Sequence, residues 1–159
     1  MNWEAIGALG ELIGAGAVVI SLIYLAIQIR GQNSEARIAG MHAVSQGFRD
    51  GIGSLAEIPH VASVWIKSNE DLASLTDEEL VQMFAVAQRN FRVWEEAFRL
   101  YRHQRLDEDI WEGITSQYVS FLAHRGFKYV WEFRREHYSK GFRDFVDNLP
   151  ASDYKIRGE

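Results

Sequence analysis

Residues 6–29 read IGALGELIGAGAVVISLIYLAIQI, and this stretch decides the architecture. Its 24 residues hold one formal charge, Glu11. About 20 predominantly apolar residues cross a bilayer as a helix, so the run predicts a single transmembrane span. Working outward, residues 1–30 are expected to form a transmembrane anchor and 31–58 a juxtamembrane helix. Residues 59–150 are expected to form a compact antiparallel helical domain in the cytoplasm, and 151–159 a tail.

The flanks give the span a direction. A cleaved signal peptide needs a basic start and an apolar stretch of about 7–15 residues. Here the start is Met1-Asn2-Trp3-Glu4 and the apolar run is longer, so a retained anchor is expected. Arg30, Arg37 and Arg49 follow the span, and no Lys or Arg precedes it. Positive charge stays inside, which predicts a cytoplasmic C-terminal domain. Trp3 suits the outer interface and Arg30 the inner one.

Two faces are written into the span. Trp3, Gly7, Gly10, Gly14, Ala17, Ser21, Tyr24 and Gln28 recur at alternating steps of four and three, which makes a heptad seam of mainly small and polar residues. Leu9, Ile13, Ile20, Ile23 and Ile27 lie between them as a branched face suited to lipid. Small residues let helices approach closely in membranes, so the seam is expected to pack on copies of itself or on a membrane-protein partner. Glu11 lies beside the seam and has two readings. From about one and a half turns inside the outer edge it can reach the headgroups. In an oligomer it would instead form a carboxylate ring at a pore mouth.

Beyond the span the helical period continues. Ile38, Met41, Ser45, Phe48, Ile52 and Leu55 keep three–four spacing, with Gly31 and the Gly51/Gly53 pair as candidate bends. Pro59 suits the first turn of a short helix through Trp65 and Ile66, and Ser68 to Ser74 reads as a loop. Thr76-Asp77-Glu78-Glu79 has the capping-box pattern, a Thr followed three residues later by a Glu. Leu80, Phe84, Ala87, Phe91, Trp94, Phe98 and Tyr101 then predict a long amphipathic helix to about His103. Asp107 is placed to cap the next helix, with Trp111, Ile114, Tyr118 and Leu122 inward and Gly126 at its end. A helix from Phe127 to about Tyr138 follows. Ser139 caps a last one with Phe142, Phe145, Val146 and Leu149 inward, ended by Pro150. No alternating strand pattern appears, so the fold class is all-α.

Composition narrows the chemistry. The net charge is −5, which argues against nucleic acid as a partner because that partner needs a basic surface. There is no cysteine, which removes disulfides, thiolate zinc sites and thiol nucleophiles together. His42, His60, His103, His124 and His137 are scattered, without a zinc-type spacing. Glu57 and His60 have the spacing of half a di-iron site, but Pro59 intervenes and no second copy exists. Glu95 and Glu96 diverge as neighbours on a helix, while Arg92–Glu96 and Glu95–Arg99 are spaced as ion pairs. No Gly-rich phosphate loop and no nucleophile elbow are present. The expectation is no catalytic set, no cofactor and no metal. Arg125, Lys128, Arg134, Arg135, Lys140 and Arg143 form a basic run with aromatics between them. On a domain tethered at a membrane this face could rest on anionic lipid; Glu132, Glu136 and Asp144 dilute it, so a solvated helix face is the preferred reading.

The order of features resembles a group of small, uncharacterised bacterial single-pass membrane proteins. The resemblance is carried by Asn2-Trp3-Glu4-Ala5-Ile6-Gly7, by the run from Val18 to Arg30, by the central helix and by the segment from Leu106 to Trp111. It implies a bacterial inner-membrane anchor with a helical cytoplasmic domain, and it brings no activity to any residue. The expected function is a membrane-anchored binding or scaffolding module that associates through its span. The alternative is a homo-oligomeric ion channel or transporter subunit with Glu11 near the pore mouth. An enzyme acting on membrane lipid ranks third.

Overall fold

The computed structural model describes residues 3–155, and side chains 4–6, 8 and 9 lie outside that description. Leu9 of the expected lipid face and the last four residues of the tail are therefore not described. Six α-helices follow in order: α1 (Trp3–Glu57), α2 (Pro59–Glu70), α3 (Asp77–Arg102), α4 (Glu108–Leu122), α5 (Arg125–Arg134) and α6 (Lys140–Asp147). Short 3-10 turns at Leu72–Ser74 and Arg135–His137 link them, and no strand occurs among the described residues. The all-α expectation holds. The chain divides into two compact units, Met1–Ala39 and Gly40–Glu159.

The first unit is helical at every described position. From Leu12 to Ile29 each large apolar side chain is at least half exposed.

The second unit is built around α3. Its start is the predicted capping box: the Glu79 N–H donates to Thr76 Oγ1 at 3.2 Å, and the Thr76 N–H donates to Glu79 Oε2 at 2.8 Å. Phe91, Trp94 and Ala87 are fully buried as the period predicts. Met83, Val86, Asn90 and Ala97 are buried as well, a second column beside the first. With about 100° per residue, the two columns cover roughly half the circumference of α3. The helix is therefore central and not lateral. Aromatic rings from α4, α5 and α6 close on it. Trp94 stacks on Tyr118 at 4.8 Å, Phe91 on Phe127 at 4.1 Å, and Phe142 meets Trp94 edge-on.

Three sequence expectations are corrected. First, the candidate bends at Gly31, Gly51 and Gly53 do not interrupt α1, which stays helical to Glu57. Gly40, Gly47 and Gly51 are instead contact points against α3. A Cβ at these positions would lie 3.3 Å from Leu100, 2.9 Å from Val93 and 2.7 Å from Asn90, respectively. Rising numbers on α1 meet falling numbers on α3, so the two run antiparallel there. Second, Ser68 to Ser74 is not one loop: α2 continues to Glu70, with Ser68 buried and its Oγ donating back to the Trp65 carbonyl at 2.8 Å. Third, Gly126 does not stop α4. It sits in the first turn of α5, where a Cβ would lie 2.6 Å from Ser68 Oγ and 2.8 Å from Ser68 Cβ. At Gly40, Gly47, Gly51 and Gly126 the glycine serves close approach, which its missing side chain permits as readily as a turn.

Candidate functional site

The residues of the span seam share one property. Gly7, Gly10, Gly14, Ala17, Ser21, Tyr24 and Gln28 are exposed on α1, as are Glu11, Trp3 and Arg30. A Cβ added at Gly7, Gly10, Gly14 or Gly16 meets nothing within 4 Å. The seam's polar side chains find partners one turn back along the helix. Ser21 Oγ donates to the Ala17 carbonyl at 2.9 Å, and Gln28 Nε2 donates to Tyr24 Oη at 3.0 Å. Such local pairing satisfies these polar atoms within the helix itself.

Within the helical domain the buried titratable groups are structural. His124 is fully buried and caps the N-terminus of α5. Its Nδ1 accepts from the Phe127 N–H at 3.2 Å, so its proton sits on Nε2, which faces the Trp65 carbonyl at 2.8 Å. Burial lowers its pKa to about 4, against the opposing pull of the Trp65 carbonyl. The imidazole lies tilted against Trp65 at 4.1 Å between ring centres, and Tyr154 meets both rings edge-on. Trp65 Nε1 donates to Tyr154 Oη at 2.7 Å, which ties the segment after α6 to α2. Both imidazole nitrogens are committed, so His124 acts as a helix cap and not as a base.

Glu95 is the buried carboxylate. It faces inward while Glu96 is exposed, as their divergence requires. Its partner is not Arg99 but Arg92, one turn back, with Arg92 Nη1 donating to Glu95 Oε2 at 2.9 Å. The Ser139 N–H donates to Glu95 Oε1 at 2.7 Å. Burial pushes the Glu95 carboxyl up, but the Ser139 and Arg92 hydrogen bonds outweigh it and hold the group below its ordinary range. Arg92 also donates to the His137 carbonyl and lies 4.4 Å above the Tyr138 ring. This group clamps the turn before α6 onto α3.

An open cleft of about 430 Å³ lies between α4, α5, α6 and the segment that follows. Trp131, Leu122 and Val146 line it, with Lys128, Glu132, Arg135 and Asp147. Asp147 pairs with Arg135 and accepts from Trp131 Nε1 at 3.0 Å, so the cation and the carboxylate satisfy each other. Among the described residues, no three His, Asp or Glu side chains gather as a metal would require. Sequence reading missed the roles of His124, Tyr154 and Glu95, because an isolated polar residue leaves no period to detect.

No family model, no curated protein and no solved structure matches the chain.

Proposed function

We propose that the chain is a single-pass bacterial inner-membrane protein whose cytoplasmic helical domain is a binding or scaffolding module. Its span would associate with copies of itself or with a membrane-protein partner. The observation that carries this reading is the exposed apolar surface of α1. The most apolar 18 residues of this helix have a mean hydropathy of 2.3, and none of that stretch is buried. Ten aliphatic side chains from Leu12 to Ile29 lie at least half exposed. Leaving them in water forfeits on the order of 10 kcal/mol or more of burial, comparable with a whole domain's stability. Lipid supplies the cover, and the small seam supplies a place for a second helix.

The test is the native mass in mild detergent, together with crosslinking in membranes. A discrete oligomer or a heteromeric complex that Gly10→Ile plus Gly14→Ile dissociates supports the reading. A monomer without partner, indifferent to both substitutions, removes the association. Recovery of the full chain in the soluble fraction removes the anchor.

A further inference from the structure

One side of α3 faces the core, and the other carries an ordered series of charges. Glu78, Val81, Ala85, Arg89 and Arg92 are all exposed. At about 100° per residue they lie within about 80° of one another, so they form one strip along the helix. α5 borders the strip through Phe84, which meets Tyr129 and Phe133 edge-on at 6.0 and 5.6 Å. α1 borders its other side, where Gly47 faces Val93 and Gly40 faces Leu100. Val81 is 70% exposed and Phe133 60%, the two most exposed large apolar side chains of the helical domain.

The signs divide along the strip. Asp77 and Glu78 stand at its start and meet no cation among the described residues. Arg89 and Arg92 stand about 16 and 21 Å beyond Glu78, at 1.5 Å per residue. Arg89 donates to the Asp50 carbonyl at 3.1 Å and meets no carboxylate among the described residues. Arg92 is tied to Glu95, yet its side chain stays 55% exposed. Val81 and Ala85 lie between the two signs. Turned about a two-fold axis through Ala85, the strip matches itself. Glu78 then faces Arg92 of the other copy with Arg89 one turn away, because Glu78 and Arg92 are equally far from Ala85 in sequence. Acid meets base at both ends, and Val81 covers the aliphatic stem of the opposing Arg89. The small alanine at the crossing lets the two backbones approach.

We infer that the exposed strip of α3 around Ala85 is an antiparallel two-fold contact with a second copy of this chain. Charge complementarity selects this occupant. A surface of either single sign is repelled at one end of the strip, whereas a rotated copy is matched at both. The contact lies wholly within the helical domain. It is separate from the association proposed for the span and does not rest on the membrane-anchored reading. Exposed ion pairs around a small apolar centre make a weak contact, so trapping is the measurement that reads it.

The chain has no cysteine, so Ala85→Cys places a single thiol on the axis. Gly113→Cys, exposed on α4, is the control off the strip. Both are made in the full chain carrying Gly10→Ile and Gly14→Ile, so that the span seam does not hold copies together. They are studied at no more than one chain per detergent micelle. Copper-phenanthroline oxidation should give a covalent dimer from Ala85→Cys several-fold faster than from Gly113→Cys. Adding Glu78→Arg or Arg89→Glu should each cut that rate several-fold, by setting like charges against each other. Mixing those two variants should recover it as a heterodimer, since each offers the sign the other lacks. Equal rates from the two thiols overturn the contact. Unchanged rates in the single charge variants, or no recovery in the mixture, overturn it as well. A dimer trapped through Ala85→Cys only when Gly10 and Gly14 are intact also overturns it, and leaves the span's association standing. Trapping that is the same with either pair at positions 10 and 14 supports the contact, whatever becomes of the association proposed for the span.

Discussion

Glycines of two regions look alike in sequence and differ in what surrounds them. Gly40, Gly47 and Gly51 recur at steps of seven and four, and Gly7, Gly10 and Gly14 at steps of three and four. In the helical domain each of the first set meets a side chain of α3, and Gly126 meets Ser68. In the span, nothing lies within 4 Å of a Cβ at Gly7, Gly10 or Gly14. A small-residue seam on a helix is thus a close-approach surface whose occupant is settled by tertiary context and not by spacing. The domain's seam is occupied by its own chain. The span's seam is the one we propose for a second helix.

The largest effect should come from filling the tightest of these contacts. Gly126→Leu drives a side chain into Ser68 and Met83, both buried, and should lower the stability of the domain by about 3 kcal/mol or more. Gly14→Leu should change it by less than about 0.5 kcal/mol, as a surface change does. Urea unfolding of the full chain in detergent, followed by tryptophan fluorescence, measures both. Equal losses would break the comparison.

The buried polar groups sharpen it in a second way. In the span, Ser21 and Gln28 bond one turn back along their own helix. His124 bonds across the fold to Trp65. That makes His124 sensitive to acid. Unfolded, the imidazole takes a proton near pH 6.5, whereas folded it waits until about 4. Between those values the unfolded state holds more protons, so stability falls as pH falls. It is full above about 6.5 and about 3 kcal/mol lower at 4, at roughly 1.4 kcal/mol per pH unit. The Glu79 and Glu95 carboxyls, both held below 4.5, begin to add their losses as pH falls through about 4.5, at the acid end of this window. His124→Asn keeps a capping acceptor and should flatten the slope between pH 6.5 and 4 while lowering stability at neutral pH. A wild-type slope retained in the variant would place the sensitivity elsewhere.

Much of this domain was legible because its signals are local or periodic. The capping box at Thr76 and Glu79 is a four-residue pattern with one physical use. The column from Leu80 to Tyr101 marks one face of α3. The second column, Met83, Val86, Asn90 and Ala97, was missed because a single stripe is what an amphipathic helix shows; a helix enclosed on two sides breaks that rule. Gly126 was misread as a stop, and the close contact at Gly51 went unread, because glycine's freedom and its smallness have the same spelling. Arg92 and Glu95 were assigned other partners by four-residue spacing, although one of the pair turns inward to meet Ser139. Tyr154 lies past Pro150, in what reads as tail, and only the fold brings it to Trp65. The association proposed for the span belongs to no contact within the chain.

Tyr118 offers a smaller test of how fully the domain satisfies its interior. Its ring is buried against Trp94 and Phe48, and its hydroxyl has no hydrogen-bond partner among the described residues. Burial pushes its pKa well above the ordinary tyrosine range. Removing an unpaired buried hydroxyl while keeping the ring costs no bond and ends a desolvation penalty. Tyr118→Phe should therefore stabilise the domain by about 1 kcal/mol. A loss of that size in the urea midpoint would mean that the hydroxyl has a partner in solution.

Gly113 gives the cleanest control for the glycine comparison. It lies within α4, is exposed, and has nothing within 4 Å of a Cβ, as in the span. Unlike the span glycines, it sits on a helix whose other side packs in the domain core through Trp111, Tyr118 and Phe121. Alanine there meets no atom and removes backbone freedom from the unfolded chain, so Gly113→Ala should stabilise by about 0.5–1 kcal/mol. The sign separates the two uses of glycine: positive where the position is open, negative at Gly126, where smallness is required. If Gly113→Ala destabilises, open space around a glycine Cβ does not mark a free position in this fold. The open seam of the span would then lose its value as a sign of unoccupied helix surface.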